Sequence, residues 1–193
     1  MKEKEKTLNV KKIILISLSV LAGLIVALVI GLWIFCFVTL STYRSEKDGV
    51  EIAYPKSWEV REHPATDVIV AFVSVKENEL DTFNENVNLS TYDMSALSHS
   101  TADYAKIMVD QLLMIFTDLK LVEKTPFLVA GHKGYRMVLQ ITGETAKMIV
   151  VYAFTIDTMG YNILYIGSNE AYARDRVALD MMALTFKLKY PTL

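Results

Sequence analysis

One cysteine, Cys36, is all this chain of 193 residues contains. With no second thiol there is no intramolecular disulfide, no C-x-x-C redox pair and no cysteine-rich zinc site. Histidine is almost as scarce. His63, His99 and His132 fall in separate expected loops or turns, and no H-E-x-x-H pattern occurs, so the strong metallohydrolase signature is missing. No serine sits in a G-x-S-x-G elbow, and Cys36 lies inside an apolar run, so the usual nucleophiles lack their frame. Gly131-x-x-Gly134 is too short for a phosphate loop and lies between strand-like stretches; a tight turn needing positive φ is the expected use. No basic stripe with interleaved aromatics is present, so nucleic acid is not an expected partner. There is also no internal repeat and no low-complexity tract. These absences favour a non-enzymatic protein, with no cofactor and no metal site expected.

What is abundant is apolar sequence at the N-terminus. Ile13 to Leu40 carries no charge and exceeds the ~20 residues that cross a ~30 Å hydrocarbon core as a helix. Lys11 and Lys12 border it on one side, after Lys2, Lys4 and Lys6; beyond it Arg44 and Lys47 are balanced by Glu46 and Asp48. The positive-inside rule then predicts a cytoplasmic basic tail over 1–12, a transmembrane helix over 13–40, a juxtamembrane stalk over 41–48 and an extracytoplasmic domain over 49–193. The lipid bilayer is a predicted partner, and the cell membrane, single-pass, the predicted location. A cleaved signal peptide fits less well, because its core spans only ~7–15 residues. A lipoprotein signal fits poorly too, since Ile34 and Phe35 precede Cys36 where small residues belong.

The remaining ~150 residues suffice for one hydrophobic core. Five lysines against two glutamates before Ile13 leave the rest of the chain near −5, given −2 overall. Strands are expected over Val50–Tyr54, Trp58–Arg61, Val68–Val75, Val87–Tyr92, Val122–Lys124, Phe127–Ala130, Tyr135–Ile141, Lys147–Ile156 and Tyr161–Ser168. Ser100 or Thr101 caps a helix whose stripe is Tyr104, Ile107, Met108, Leu112, Ile115, Phe116 and Leu119. A second helix is expected over Ala171–Leu184, and Leu184, Phe186 and Leu188 also fit an edge strand. The last three long strands, joined by short turns, read as an antiparallel meander. The fold class is α+β, an antiparallel sheet flanked by helices.

Two segments combine polar groups, turn-forming residues and nearby aromatics, and are the candidate contact sites for a partner or ligand. One contains Asp81, Phe83, Asn84, Glu85, Asn86 and Asn88. The other contains Lys133, Tyr135 and Arg136. The acidic stretch Glu77, Glu79, Asp81, Glu85 supplies oxygen ligands of the kind calcium takes, but not at EF-hand spacing; a solvated loop with Asx turns is the simpler reading. A calcium-binding domain is therefore an alternative, as is a hydrolase whose residues assemble only in three dimensions.

Several fragments, in order, resemble the PsbP-like domain. Gly49-Val50-Glu51-Ile52-Ala53-Tyr54-Pro55-Lys56-Ser57-Trp58 looks like its opening hairpin. Asp81-x-Phe83-x-Glu85-Asn86-Val87-Asn88, Asp103-Tyr104 leading a helix, and Gly131-x-Lys133-Gly134-Tyr135-Arg136 follow. The resemblance spans Gly49 to Leu188. It implies the α-β-α sandwich shared by PsbP and Mog1, in a group that acts mainly by binding and assembly. It carries over no catalytic residue. The reading is a membrane-anchored extracytoplasmic domain, non-enzymatic, that docks another envelope protein or a small ligand.

Overall fold

The computed structural model describes residues 17–31, 39–76, 83–95, 100–143 and 147–189. The chain divides into two compact units, Met1–Leu40 and Ser41–Leu193. In the first, residues 17–31 form a helix, α1. Among the described residues no helix is long and apolar enough to cross a membrane. The rest of the apolar run, 13–16 and 32–38, lies outside the described residues, as does the basic tail. The expected transmembrane helix is corrected accordingly. The lipid bilayer as partner, the membrane-anchored reading of function and the single-pass placement with a cytoplasmic N-terminus lose their support with it.

The second unit is built from strands β1 (Leu40–Ser45), β2 (Val50–Pro55), β3 (Glu59–Glu62), β4 (Val68–Val73) and β5 (Asn86–Asp93), helix α2 (Thr101–Ile115), strands β6 (Leu119–Val129), β7 (His132–Ile141), β8 (Lys147–Ile156) and β9 (Met159–Ser168), helix α3 (Asn169–Thr185) and the short strand β10 (Lys187–Leu188). Strand β1 occupies part of the stretch read as a stalk. The seven-stranded sheet runs β3-β4-β5-β9-β8-β7-β6, and β1-β2-β10 form a second sheet of three strands. Every neighbouring pair in the large sheet is antiparallel. The expected α+β sandwich, an antiparallel sheet flanked by helices, is the observed architecture.

The pleat of β8 shows why two helices are needed. Ile149, Val151 and Ala153 are buried in one apolar cluster with Tyr104, Ala105, Val109 and Leu112 of α2. Val150, Tyr152, Phe154 and Ile156 are buried in the other, with Leu179, Met182 and Ala183 of α3. Successive side chains point to opposite faces, so a strand apolar from Met148 through Phe154 needs cover on both. Helix α2 supplies one cover because its apolar residues recur at three- and four-residue steps. Burying Val109 and Leu112 stabilises that layer by about 1.5–3 kcal/mol each. Ser100 starts the helix with a capping box: its backbone N–H donates to the Asp103 carboxylate at 3.0 Å, and the Asp103 N–H donates to Ser100 Oγ at 3.3 Å.

Strand β6 is one continuous strand, where Pro126 suggested a break between two. It lies at the sheet edge, and a proline whose missing N–H faces outward removes no ladder bond. A bulge interrupts its register between Leu121 and Glu123. At the chain's end, Thr185 closes α3 and Lys187–Leu188 pair with Glu51 and Val50, which resolves the helix-or-strand ambiguity there in favour of both, in succession.

Candidate functional site

The β6–β7 hairpin turns through two residues, since Val129 pairs with His132. Both loop residues have positive φ, Ala130 at 50° and Gly131 at 84°, as the tight turns that match strand twist require. The first residues of β7 after this turn carry Lys133 and Tyr135. Gly134 between them packs closely: a Cβ there would meet the Ala153 carbonyl oxygen at 2.8 Å and Phe154 Cβ at 3.0 Å.

Above this hairpin sits the N-terminal end of α2. Thr101 and Thr155 hydroxyls meet at 2.5 Å and tie the helix start to β8. Between the two lies a groove of about 500 Å³, walled by Ser100 and Thr101 on one side and by Pro126, Leu128, Lys133 and Tyr135 on the other. Lys124 Nζ lies 4.7 Å from the centre of the Tyr135 ring, so a second cation borders the same aromatic. The partial positive charge of the helix start is already met by Asp103, which turns back onto Ser100 and accepts from its hydroxyl at 2.7 Å. Lysine, tyrosine and apolar wall together suit an anionic group carried on an apolar segment.

Arg136 follows Tyr135 in the chain but faces the other side of the sheet. It is only 5% exposed. Nη1 donates to Glu123 at 3.1 Å, Nη2 donates to the Tyr172 hydroxyl, and Nε lies 3.5 Å from Asp180 Oδ1. Tyr152 donates to the same Asp180 oxygen at 2.6 Å. Burial opposes the arginine charge, but Tyr152, Tyr172 and Asp180 outweigh it and its pKa is raised. Burial first, then Asp180, push the Tyr152 hydroxyl well above the ordinary phenol range. This network fastens α3 to the sheet and leaves Arg136 no face toward a ligand.

The other candidate segment lies at the far end of the strands. Asn86 pairs with Ile166 and Ile149 also pairs with Ile166, near the start of β8, whereas Gly134 pairs with Phe154 near its end. Phe83 lies under Lys147, whose Nζ is 3.7 Å from the ring centre. Asn84 donates to the Ser74 carbonyl at 2.8 Å. Glu85 is buried and accepts from the Ser74 hydroxyl at 2.7 Å. Asn88 pairs between Ala71 and Leu164 within the sheet. Asp81, Glu77 and Glu79 lie outside the described residues. The two predicted segments are therefore separate places. Lys133 and Tyr135 share the groove; Phe83, Asn84, Glu85, Asn86, Asn88 and Arg136 do not line it. Among the described residues no three His, Cys, Asp or Glu side chains are placed to hold a metal ion.

A serine, an aspartate and a histidine do converge beyond the groove. Ser45 Oγ donates to Asp48 Oδ2 at 2.5 Å, and His63 Nε2 lies 3.3 Å from the same oxygen. The order is wrong for nucleophilic catalysis. A triad places histidine between the other two so that it takes the serine proton; here aspartate stands in the middle. His132 is exposed at the start of β7, and His99 lies outside the described residues.

No protein-family model and no curated protein sequence matches the chain. Solved structures do. The solution structure of cyanobacterial PsbP (CyanoP) from Synechocystis sp. PCC 6803 superposes with a TM-score of 0.59 at 15% identity, over 78% of this chain and 92% of that one. The chain has the PsbP/Mog1 fold. A point mutant of the protein Mog1 matches with a TM-score of 0.56 at 10% identity, over 79% and 97% of the two chains. LpqN of Mycobacterium tuberculosis, described as involved in cell envelope biogenesis, matches at 0.58 and 7% identity, over 78% and 91%. The resemblance seen in the opening hairpin and the Gly131–Arg136 stretch is thus matched at the level of the PsbP/Mog1 fold.

The groove walls Ser100, Pro126 and Leu128 were not among the sequence candidates. Ser100 is visible in the sequence as a helix cap, but nothing local to it says which hairpin it faces.

Proposed function

We propose that this chain is a non-enzymatic binding domain, and that its groove takes an extended, acidic segment of a partner protein. The groove between the start of α2 and the β6–β7 hairpin carries this reading. Lys133, with Lys124 beside Tyr135, favours a carboxylate there, while Pro126, Leu128 and Tyr135 favour an apolar side chain next to it. Fold alone does not assign a role. The cell envelope role described for LpqN is compatible with a binding domain.

The test uses the full chain and labelled peptides of about a dozen residues, in acidic, neutral and basic sets of equal apolar content. Fluorescence polarisation reads binding. The acidic set should bind most tightly, and Lys133→Glu should weaken it tenfold or more. Equal binding of all three sets, or acidic binding unchanged in Lys133→Glu, would refute the proposal.

A further inference from the structure

The outer face of the three-stranded sheet gathers positive charge around a single carboxylate. Val50 and Ile52 of β2 are buried in the core, so Glu51 between them points the other way. Arg44 of β1 places Nε 2.8 Å from Glu51 Oε2, and Lys189, just past β10, places Nζ 2.9 Å from the same oxygen. Lys187, directly opposite Glu51 in the register of β10 with β2, places Nζ 3.3 Å from Oε1. The backbone holds this arrangement in place. The Lys189 N–H donates to the Gly49 carbonyl at 2.5 Å, and a Cβ at Gly49 would collide with the Lys189 carbonyl oxygen.

One carboxylate for three cations leaves two positive charges over. The adjoining turn does not offset them: Glu46 is balanced by Lys47, and Asp48 is engaged by Ser45 and His63. Among the described residues the side chains of Arg44, Lys187 and Lys189 bond to Glu51 and to no other group. Exposed ion pairs matched one to one are ordinary surface chemistry. Here Arg44 and Lys189 share one oxygen, so they lie within about 6 Å of each other and repel. Glu51 lies beneath with its side chain 10% exposed, and the three cations lie above it, open to solvent. Their unused donors face outward. Arg44 spends Nε on Glu51 and keeps both Nη groups; each lysine spends one N–H of three.

We infer that the face formed by Arg44, Lys187 and Lys189 binds the phosphate monoester group of a small soluble molecule. Two surplus charges match such a group, which carries about −1.5 to −2 at neutral pH and three strong acceptor oxygens. The guanidinium fork takes two of those oxygens, and the lysines act as point charges on the third. A carboxylate brings one charge and two oxygens and leaves half of the surplus unmet. The size of the cluster limits the ligand to one such group. Nucleic acid needs a run of phosphate contacts, and an anionic membrane surface needs about four to eight clustered cations. The site shares no residue with the groove at the start of α2.

Glycerol 1-phosphate titrated into the nitrogen-15-labelled full chain at fixed ionic strength tests this by nuclear magnetic resonance. The amide signals of Arg44, Glu51, Lys187 and Lys189 should shift and saturate, half-complete at about 1 mM or below. Lys187→Gln and Lys189→Gln should each weaken binding tenfold or more. Lys189→Arg, which keeps the charge, should retain it, and Lys120→Gln, at an exposed position on β6, should leave it unchanged. Shifts that do not saturate, or that survive both glutamine variants, overturn the proposal. An equal response to sulfate marks an adventitious ion only and overturns it too. Vesicles of phosphatidic acid in phosphatidylcholine separate the two sources of the phosphate group. If they pellet the chain in a Lys189-dependent way while glycerol 1-phosphate gives no shift, the face belongs to a membrane surface and the soluble ligand is refuted.

Discussion

Glu51 ties together the three-stranded sheet, and removing its charge should be felt as a loss of acid-sensitive stability. It sits on β2, 7% exposed, with Arg44 Nε at 2.8 Å, Lys187 Nζ at 3.3 Å and Lys189 Nζ at 2.9 Å. Lys189 foremost, working against burial and aided by Lys187 and Arg44, lowers its pKa from 4.5 to about 2. A folded-state pKa below the unfolded one adds stability above the unfolded value, and that stability is lost as pH falls toward the folded value. The window here runs from about pH 5 down to about 2. Taken at face value the shift corresponds to about 3 kcal/mol. The three cations are 62–69% exposed, so solvent screens them and about 1–2 kcal/mol is the reasonable expectation. Glu51→Gln keeps the shape, removes the anion and leaves three cations facing an amide. Urea unfolding of the full chain at pH 7, followed by circular dichroism, should show it about 1–2 kcal/mol less stable than the parent. At pH 2.5 the gap should fall to less than half. A gap equally large at both pH values, or none at pH 7, would refute the electrostatic account and leave Glu51 with a role in packing alone.

Two further substitutions probe the elements around the groove. Arg136→Met should cost about 2–4 kcal/mol in urea unfolding, because it strands Asp180, Glu123 and two tyrosine hydroxyls without their cation; since the side chain faces α3, peptide binding in the groove should survive in the protein that still folds. Ala130→Gly should stabilise by about 0.5–1 kcal/mol, because alanine bears a steric cost at φ 50° that glycine avoids, and its thermal midpoint should rise by a few degrees. A fall instead would mean that the alanine methyl contributes packing worth more than the relieved strain.

Long elements with one strong period were legible in the sequence. Helix α2 was found through its stripe from Tyr104 to Leu112, and β8 through a stretch rich in valine, isoleucine, tyrosine and phenylalanine. What failed did so for physical reasons. The apolar run ending at Leu40 absorbed the start of β1, because hydrophobicity alone does not distinguish a helix residue from a buried strand residue. Pro126 read as a break, because the sequence does not reveal that β6 is an edge strand and can tolerate it. Asn84 and Glu85 read as an open acidic loop, yet one donates to the Ser74 carbonyl and the other is buried against the Ser74 hydroxyl.

The candidate site itself was half legible, and the pleat explains the division. Lys133, Tyr135 and Arg136 form one short motif in the sequence, and a motif invites a single function. On a strand, however, adjacent residues point to opposite faces. Tyr135 and Lys133 turn toward α2 and wall the groove, while Arg136 turns toward α3 and becomes the cation at the centre of a structural network. The opposite wall comes from Ser100 and Thr101, about thirty residues earlier, and it is set by one hydroxyl pair, Thr101 with Thr155. A groove made by a helix start leaning on a hairpin leaves no local pattern in either segment. It arises from register: Gly134 opposite Phe154, and α2 laid over β8, bring the two walls to the same end of the sheet.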